Sequence, residues 1–342
     1  MGITPSHWHA AGLPLLLDRR DLPDDLVRAA LTDLMAGTFD EAEATALLVG
    51  LRLKGESASE LAAAATVLRG VMHRLECPTR PVLDTCGTGG DGSGTFNIST
   101  ATALVVAAAG VPVVKHGNRS VSSRSGSADV LSALGVPVES GPAWSQRSLD
   151  ALGIAFCFAP HFHRGMAHVA ELRKKLGVRT LFNLLGPLAN PASAPYQLLG
   201  VGKPELLDPL AAALARLGVR QAVLVCSVDG LDEVSLSAPT MVRVVRGNEY
   251  ETREWTPADF GLAAVTTESI RANDSTESAA IIRGVLNGGD GPARRIVVAN
   301  AAAALWAAEA VPTLKDGVAR AEAALAAGKP RAVLDALCRT DG

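Results

Sequence analysis

Between residues 84 and 100 the chain reads Asp84-Thr85-Cys86-Gly87-Thr88-Gly89-Gly90-Asp91-Gly92-Ser93-Gly94-Thr95-Phe96-Asn97-Ile98-Ser99-Thr100. Five glycines fall within eight positions, behind the apolar run Pro81 to Thr85 and ahead of a helical run from about Ser99. Lacking Cβ atoms, such a loop can close its backbone N–H groups around an oxyanion. The next helix aims its positive end at the same point. A strand, a phosphate-sized cradle and a helix in that order define a βα unit built to hold an anion. Asn97, Ser99 and Thr100 supply short polar groups that cap the helix or touch the ligand. A glycine-rich turn followed by an ordinary N-cap is the competing reading.

Two better-known phosphate motifs do not apply. Gly87-x-Gly89-x-x-Gly92 satisfies the dinucleotide pattern, but the carboxylate expected about 20 residues later is missing, since none occurs between Asp91 and Asp129. No G-x-x-x-x-G-K-[ST] occurs, and Gly202-Lys203 runs into Pro204.

Around this loop the chain alternates short apolar strands with Ala/Leu-rich helices. Strand patterns at Pro81 to Thr85, Val111 to Val114, Ile154 to Phe158, Gln197 to Val201 and Ala222 to Val228 alternate with helices from about Ser99, at 127–134 and at Glu205 to Leu217. This predicts a mainly parallel sheet covered by helices. The first 75 residues show no strand pattern. They predict three amphipathic helices: Leu26 to Met35, stopped by Gly37; residues 40–54, stopped by Gly55; and one opened by a Ser57/Glu60 capping box and running to Met72. The expected organisation is a helical unit over residues 1–75, joined by the charged stretch 164–190, and an α/β unit over 76–342, with the site between them.

Lys115-His116-Gly117-Asn118-Arg119-Ser120-Val121-Ser122-Ser123 follows the second strand. It therefore reaches the same sheet edge as the glycine loop. Lys115 and Arg119 can neutralise phosphate, and Ser122 and Ser123 can hydrogen-bond it. A solvated basic turn is the alternative. Asp229-Gly230-Leu231-Asp232-Glu233 ends a later strand, and adjacent carboxylates opposite a phosphate cradle suit Mg²⁺. His161, His163, His168 and Glu171 suggest a transition-metal site more weakly. Arg173, Lys174, Lys175 and Arg179 read as an exposed basic helix face.

Composition narrows the function classes. A net charge of -3 gives no field for a nucleic-acid backbone, so any polyanion meets a local site. Five widely spaced cysteines without a C-x-x-C pair suggest neither a disulfide framework nor a thiolate zinc site, and a reducing cytoplasm fits them. The longest apolar run, Ala101 to Val114, is broken by Gly110 and Pro112 and is shorter than the roughly 20 residues of a membrane helix. No basic stretch precedes Leu13 to Leu17, so a secretory signal is not expected.

Taken together, Gly87 to Asp91, Asn97 to Thr100, Lys115 to Arg119, Ser125 to Leu131, Arg179-Thr180-Leu181-Phe182-Asn183-Leu184-Leu185-Gly186-Pro187-Leu188-Ala189-Asn190-Pro191 and Asp232-Glu233 resemble the anthranilate phosphoribosyltransferases. The resemblance covers roughly residues 20–330. It implies a small helical N-terminal domain and a larger α/β domain of the nucleoside phosphorylase/phosphoribosyltransferase type. It implies anthranilate and phosphoribosyl diphosphate as substrates, Mg²⁺ as cofactor with two ions per active site, a homodimer, and association with anthranilate synthase.

The resemblance also assigns residues. Gly87, Gly90, Asp91, Thr95, Asn97, Ile98, Ser99, Thr100, Lys115, His116, Gly117, Asn118, Arg119, Ser120, Val121, Ser122, Ser123 and Ser127 match contacts to phosphoribosyl diphosphate. Gly87, Asn118, His163 and Arg173 match contacts to anthranilate. Ser99, Asp232 and Glu233 match metal positions, and Lys115, Asp232 and Glu233 are the expected catalytic residues. A pyrimidine nucleoside phosphorylase-like enzyme and a non-catalytic nucleic-acid-binding relative are the competing functions.

Overall fold

The computed structural model describes residues 7–77, 81–120 and 125–340. Val121, Ser122 and Ser123 of the basic loop lie outside the described residues. The predicted alternation builds one seven-stranded sheet from β1 (Leu83–Gly87), β2 (Val113–Gly117), β3 (Ile154–Phe158), β4 (Tyr196–Gly200), β5 (Gln221–Ser227), β6 (Thr240–Arg246) and β7 (Glu249–Trp255). Their order is β3-β2-β1-β4-β5-β6-β7. The first five are mutually parallel, whereas β6 and β7 form an antiparallel hairpin at one edge that the sequence pattern does not announce. Every residue of β7 except Trp255 is exposed. Its Glu249, Glu251, Arg253 and Glu254 place charge along an otherwise open edge.

The parallel strands are buried on both faces, as crossover helices require. Along β5, Val223 and Val225 point into one core while Ala222, Leu224 and Cys226 point into another. The first core is closed by α5 (Ile98–Ala108), α6 (Ser127–Ala133), α13 (Ser275–Leu286), α14 (Pro292–Ala307), α15 (Leu314–Ala326) and α16 (Lys329–Arg339). Helix α7 (Gly141–Leu152) packs on β3, and the short α8 (Ala159–Phe162) and α12 (Pro257–Phe260) follow β3 and β7.

The second core joins the sheet to the N-terminal helices. Among the described residues there are four of these rather than three: α1 (His7–Leu17), α2 (Asp24–Ala36), α3 (Glu41–Lys54) and α4 (Ala58–Val71). The additional helix contains the apolar stretch at Leu13 to Leu17, with Trp8 and Leu16 buried among its neighbours. After β3 the chain leaves the sheet. The 3₁₀ turn Arg164–Met166 and α9 (Ala167–Leu176) pack on α2 and α3, and α10 (Phe182–Leu185) on α4. Helix α11 (Leu207–Arg216) fills the space between α4 and β5.

Glu60 ties the helical unit together. The Ser57 capping box forms as its spacing predicts, with Glu60 Oε2 accepting from the Ser57 N–H at 2.8 Å. The same carboxylate accepts from Lys54 Nζ at 2.8 Å and, through Oε1, from the Leu22 N–H at 2.8 Å, so it joins three segments while fully buried. Burial opposes the charge on Lys54, but Asp21 and Glu60 overcome it and hold the ammonium pKa above its ordinary value. Glu60→Ala leaves Lys54 with Asp21 and the Gly55 carbonyl and removes the acceptor of both the Leu22 and Ser57 N–H groups. A buried donor left unsatisfied costs about 1–3 kcal/mol, and urea unfolding is expected to show a loss of at least that size. Glu60→Gln retains an acceptor and is expected to lose less; equal losses would show that the charge, not the backbone contacts, holds the unit.

Candidate active site

Parallel strands place the C-terminal ends of β1, β2, β4 and β5 along one edge, where crossover loops diverge and leave a crevice. A cavity of about 1060 Å³ opens there, lined by the glycine loop, the loop after β2, the 159–187 segment, Asp232 and Glu233. It contains the ends of both cores.

The glycine loop is fixed at both limbs. Thr88 N–H donates to the Gly200 carbonyl at 2.8 Å, and Thr88 Oγ1 accepts from the Gly202 N–H at 3.0 Å. On the far limb, Phe96 N–H donates to the Ile270 carbonyl and Ala272 N–H to the Gly94 carbonyl, both at 3.0 Å. Asn97 caps α5 by accepting the Thr100 N–H at 3.0 Å, which leaves the helix N-terminus facing the cavity.

Asp232 lies across the ends of β1 and β4, where Gly87 and Gly200 are register partners. A Cβ on Gly200 would collide with the Asp232 carbonyl oxygen, and one on Gly87 would meet its carboxylate at 3.0 Å. Burial and the nearby Asp91 carboxylate push the Asp232 pKa up to about 7, against a donated Gly89 N–H. Glu233 is held well above its ordinary range by burial and Asp232, opposed by Lys115 and the Ser99 N–H.

Lys115 reaches beneath the cradle. Its Nζ donates to the Thr85 carbonyl and to Ser99 Oγ, the latter at 3.0 Å. Burial lowers its pKa, while Asp84, Cys86, Glu233 and Asp232 act to keep it charged. A buried ammonium thus stands against two carboxyl groups at the floor of an anion site.

Beyond Lys115, Gly117, Asn118, Arg119, Ser120 and Ser127 all line the cavity. Arg119 differs from the expected free phosphate ligand. Its guanidinium pairs with Asp129 at 3.0 Å and with Glu139, so its charge is already balanced. Asp129 also accepts from the N–H groups of Ser120 and Gly126, both at 2.9 Å, drawing those two residues together. Thr100 is likewise not at the cavity: its side chain is buried, and Oγ1 has no hydrogen-bond partner.

Another stretch of the cavity wall is more apolar. His163, Met166, Ala170, Arg173 and Phe182 line it. Arg173 lies over the Phe182 ring at 5.5 Å, and among the described residues no carboxylate pairs with it. His116 Nδ1 donates to the Gly186 carbonyl at 3.0 Å, which makes its Nε2 the acceptor for His163 Nε2 at 3.2 Å. The other members of the suggested metal cluster go elsewhere: the His161 ring packs edge-on to Phe158, and the His168 ring lies against Gly37. The basic helix face also divides. Lys174 and Lys175 are exposed, whereas Arg173 and Arg179 turn into the cavity wall.

Three supporting residues carry no motif of their own. The Asn300 side chain, inside the alanine-rich α14, accepts the Val234 N–H and donates to the Val234 carbonyl, each at 2.9 Å, fixing the residue after Glu233. Asp229 accepts from Ser235, Ser237 and Thr267 hydroxyls and pins the same loop. Asp129 is the third. Each is an isolated polar residue whose partners are distant in sequence or are backbone groups.

Among the described residues no three His, Cys, Asp or Glu side chains gather to hold a metal unaided. Mg²⁺ needs fewer, since it takes one or two carboxylates and completes its shell with water and phosphate oxygens. Asp232 and Glu233, whose burial penalises their charge in the absence of a cation, fit that donor set.

The sequence profile of the glycosyl transferase family a/b domain matches residues 79–331, and that of its helical bundle domain matches residues 14–72. The chain belongs to this glycosyl transferase family, and within it to the anthranilate phosphoribosyltransferases. The anthranilate phosphoribosyltransferase of Thermomicrobium roseum is 50% identical over 319 residues, 92% of this chain and 91% of the relative. That of Thioalkalivibrio sulfidiphilus is 49% identical over 310 residues, 91% and 92% of the two chains. Among solved structures, anthranilate phosphoribosyltransferase from Thermus thermophilus superposes with a TM-score of 0.88 at 42% identity, covering 95% of this chain and 98% of that one. The Saccharomyces cerevisiae enzyme, solved in complex with PRPP and Mg, gives 0.88 at 27% identity over 97% of each chain.

The histidine pair sets a pH dependence. Burial and the adjacent His163 lower the His116 pKa to about 3, and burial lowers that of His163 to about 4. Between pH 6.5 and 4 the unfolded chain binds protons at both sites and the native protein does not. The stability these rings contribute is therefore complete above pH 6.5 and lost as pH falls towards 4 and 3. Each contributes a slope of about 1.4 kcal/mol per pH unit. His163→Gln is expected to reduce the difference in unfolding free energy between pH 7 and pH 5 by about 2 kcal/mol. An unchanged difference would show that His163 titrates normally.

Proposed function

We propose that this chain transfers the 5-phosphoribosyl group from phosphoribosyl diphosphate to the amine of anthranilate, giving N-(5-phosphoribosyl)anthranilate and diphosphate in tryptophan biosynthesis. The observation that carries this reading is the polarity of one cavity. Its lining includes an anion cradle with paired carboxylates and, from a different segment, His163 and a carboxylate-free Arg173 stacked on Phe182. A nucleoside phosphorylase has no use for the carboxylate pair, and a nucleic-acid binder finds no basic field on a chain of net charge -3. Neither competing function is favoured by relatives that match across nine-tenths of the chain.

In this reading the N–H groups of the glycine loop and the α5 N-terminus hold the donor's phosphate oxygens. Ser99, Asp232 and Glu233 hold Mg²⁺, as two ions per site, which when bound supplies charge for the departing diphosphate. Lys115 adds a preorganised positive charge close to the developing negative charge. His116, Gly117, Asn118, Arg119, Ser120 and Ser127, which line the cavity after β2, contact the donor. An aromatic amine is neutral at pH 7 and needs no strong general base. The acceptor end therefore only binds and aims it: Arg173 holds the carboxylate, with Gly87, Asn118 and His163 around the ring.

We further propose a division into a helical domain of residues 1–75, joined by 164–190, and an α/β domain of 76–342. The helical part is the surface for a homodimer, since it leaves Leu17 and Leu53 exposed at 75% and 76%. Association with anthranilate synthase and a cytoplasmic location complete the proposal. Among the described residues no helix is long and apolar enough to cross a membrane.

Anthranilate fluorescence tests the reaction directly. Purified protein is expected to consume anthranilate only with both phosphoribosyl diphosphate and Mg²⁺ present, and equal rates in excess chelator would overturn the metal assignment. Arg173→Ala is expected to raise the anthranilate KM roughly 10- to 150-fold, the loss of a charge-assisted pair worth about 1.5–3 kcal/mol, with donor affinity nearly unchanged. Should calorimetry show the donor weakened instead, Arg173 belongs to the donor end.

A further inference from the structure

Arg179 belongs to the stretch that brings Arg173 and Phe182 to the acceptor end, yet its guanidinium points the other way. Its Nη2 donates to the Thr88 carbonyl at 2.7 Å and its Nη1 to the Gly89 carbonyl at 2.9 Å. Two consecutive peptide groups of the anion cradle are thus held by one planar fork, a geometry that a lysine ammonium cannot copy. The contact is close. A Cβ on Gly90 would displace the guanidinium, and the φ of +80° there independently favours glycine.

A trans peptide points its N–H opposite to its carbonyl. Drawing the Thr88 and Gly89 carbonyls towards Arg179 therefore turns the Gly89 and Gly90 N–H groups away from it. The cradle's N–H groups at Gly89 and Gly90 are thereby given a fixed direction by the two arginine hydrogen bonds. The loop's other anchors, to Gly200, Gly202, Ile270 and Ala272, lie on the α/β side. Arg179 ties the cradle to the segment bearing the acceptor residues.

We propose that Arg179 is a positioning residue for the donor half of the site. It presets the Gly89 and Gly90 N–H groups that face the donor. This rests on the function proposed above, and it gives a residue on the acceptor segment a role in donor binding.

Hydrogen exchange and titration calorimetry on Arg179→Met and Arg179→Lys test it. In the ligand-free protein, Arg179→Met is expected to speed amide exchange at residues 88–91 without speeding it in the core strands. Phosphoribosyl diphosphate binding in the presence of Mg²⁺ should weaken about 10-fold or more, the loss expected for charge-assisted hydrogen bonds, with the anthranilate KM little changed. Lys should restore part of the affinity by reaching one carbonyl. Faster exchange spread over the whole chain would make Arg179 a structural strap. A raised anthranilate KM with unaltered donor binding would place it in the acceptor site, and unaltered exchange at 88–91 would overturn the proposal outright. Failure of the wild type to turn over both substrates would refute the proposed reaction instead. The ligand-free exchange result bears on Arg179 in either case.

Discussion

The site depends on two missing side chains. Gly87 and Gly200 end adjacent parallel strands in register, and only there can the loop after β5 cross the sheet edge at backbone contact distance. Asp232 is seated by that crossing, Glu233 follows it, and Asn300 and Asp229 hold the loop down from behind. Any side chain at either glycine would lift the carboxylates off the cradle they serve. The chemistry follows from how closely the strand ends allow another backbone to approach.

Electrostatics at this edge are frustrated in a productive direction. Asp232 and Glu233 are crowded together with Asp91, and burial penalises their charge, so the pair sits in a poor state until a cation arrives. Lys115 relieves part of the strain while losing hydration itself. A buried ammonium and under-compensated carboxyls beside a set of oriented N–H groups form an environment with the polarity that the proposed metal-bound polyphosphate requires. The neutral histidine pair marks the opposite regime, where burial has removed charge altogether next to an apolar floor.

Much of this was legible in the sequence because it is local. The glycine run, the Ser57/Glu60 capping box, the strand patterns and the Asp232-Glu233 pair each occupy a few consecutive residues whose types suffice to state their geometry. The strand at Ile154 to Phe158 begins and ends where its apolar run does. What escaped is of two kinds. Strand β7 is solvated on both sides, so no alternation of apolar residues marks it, and α1 hides in a stretch too short and too uniformly apolar to show a face. The second kind is long-range: Arg119 looks like a free cation until Asp129 and Glu139 fold against it, and Arg179 looks like a surface charge until it reaches the glycine loop. Partner identity is a property of the fold, and no residue type encodes it.

The two cores divide the labour of the cavity. The cradle's β1, β2 and α5 scaffold is anchored chiefly in the core under α5 and α14, while the acceptor wall comes from a segment packed among the N-terminal helices. The foundations are separate but not independent. Repacking α2 or α4 bears first on the wall that carries Arg173 and Phe182, and the Arg179 contact with Thr88 and Gly89 passes any shift of that wall to the glycine loop. A substitution that remodels one half of such a cavity is therefore felt, through one guanidinium, in the other.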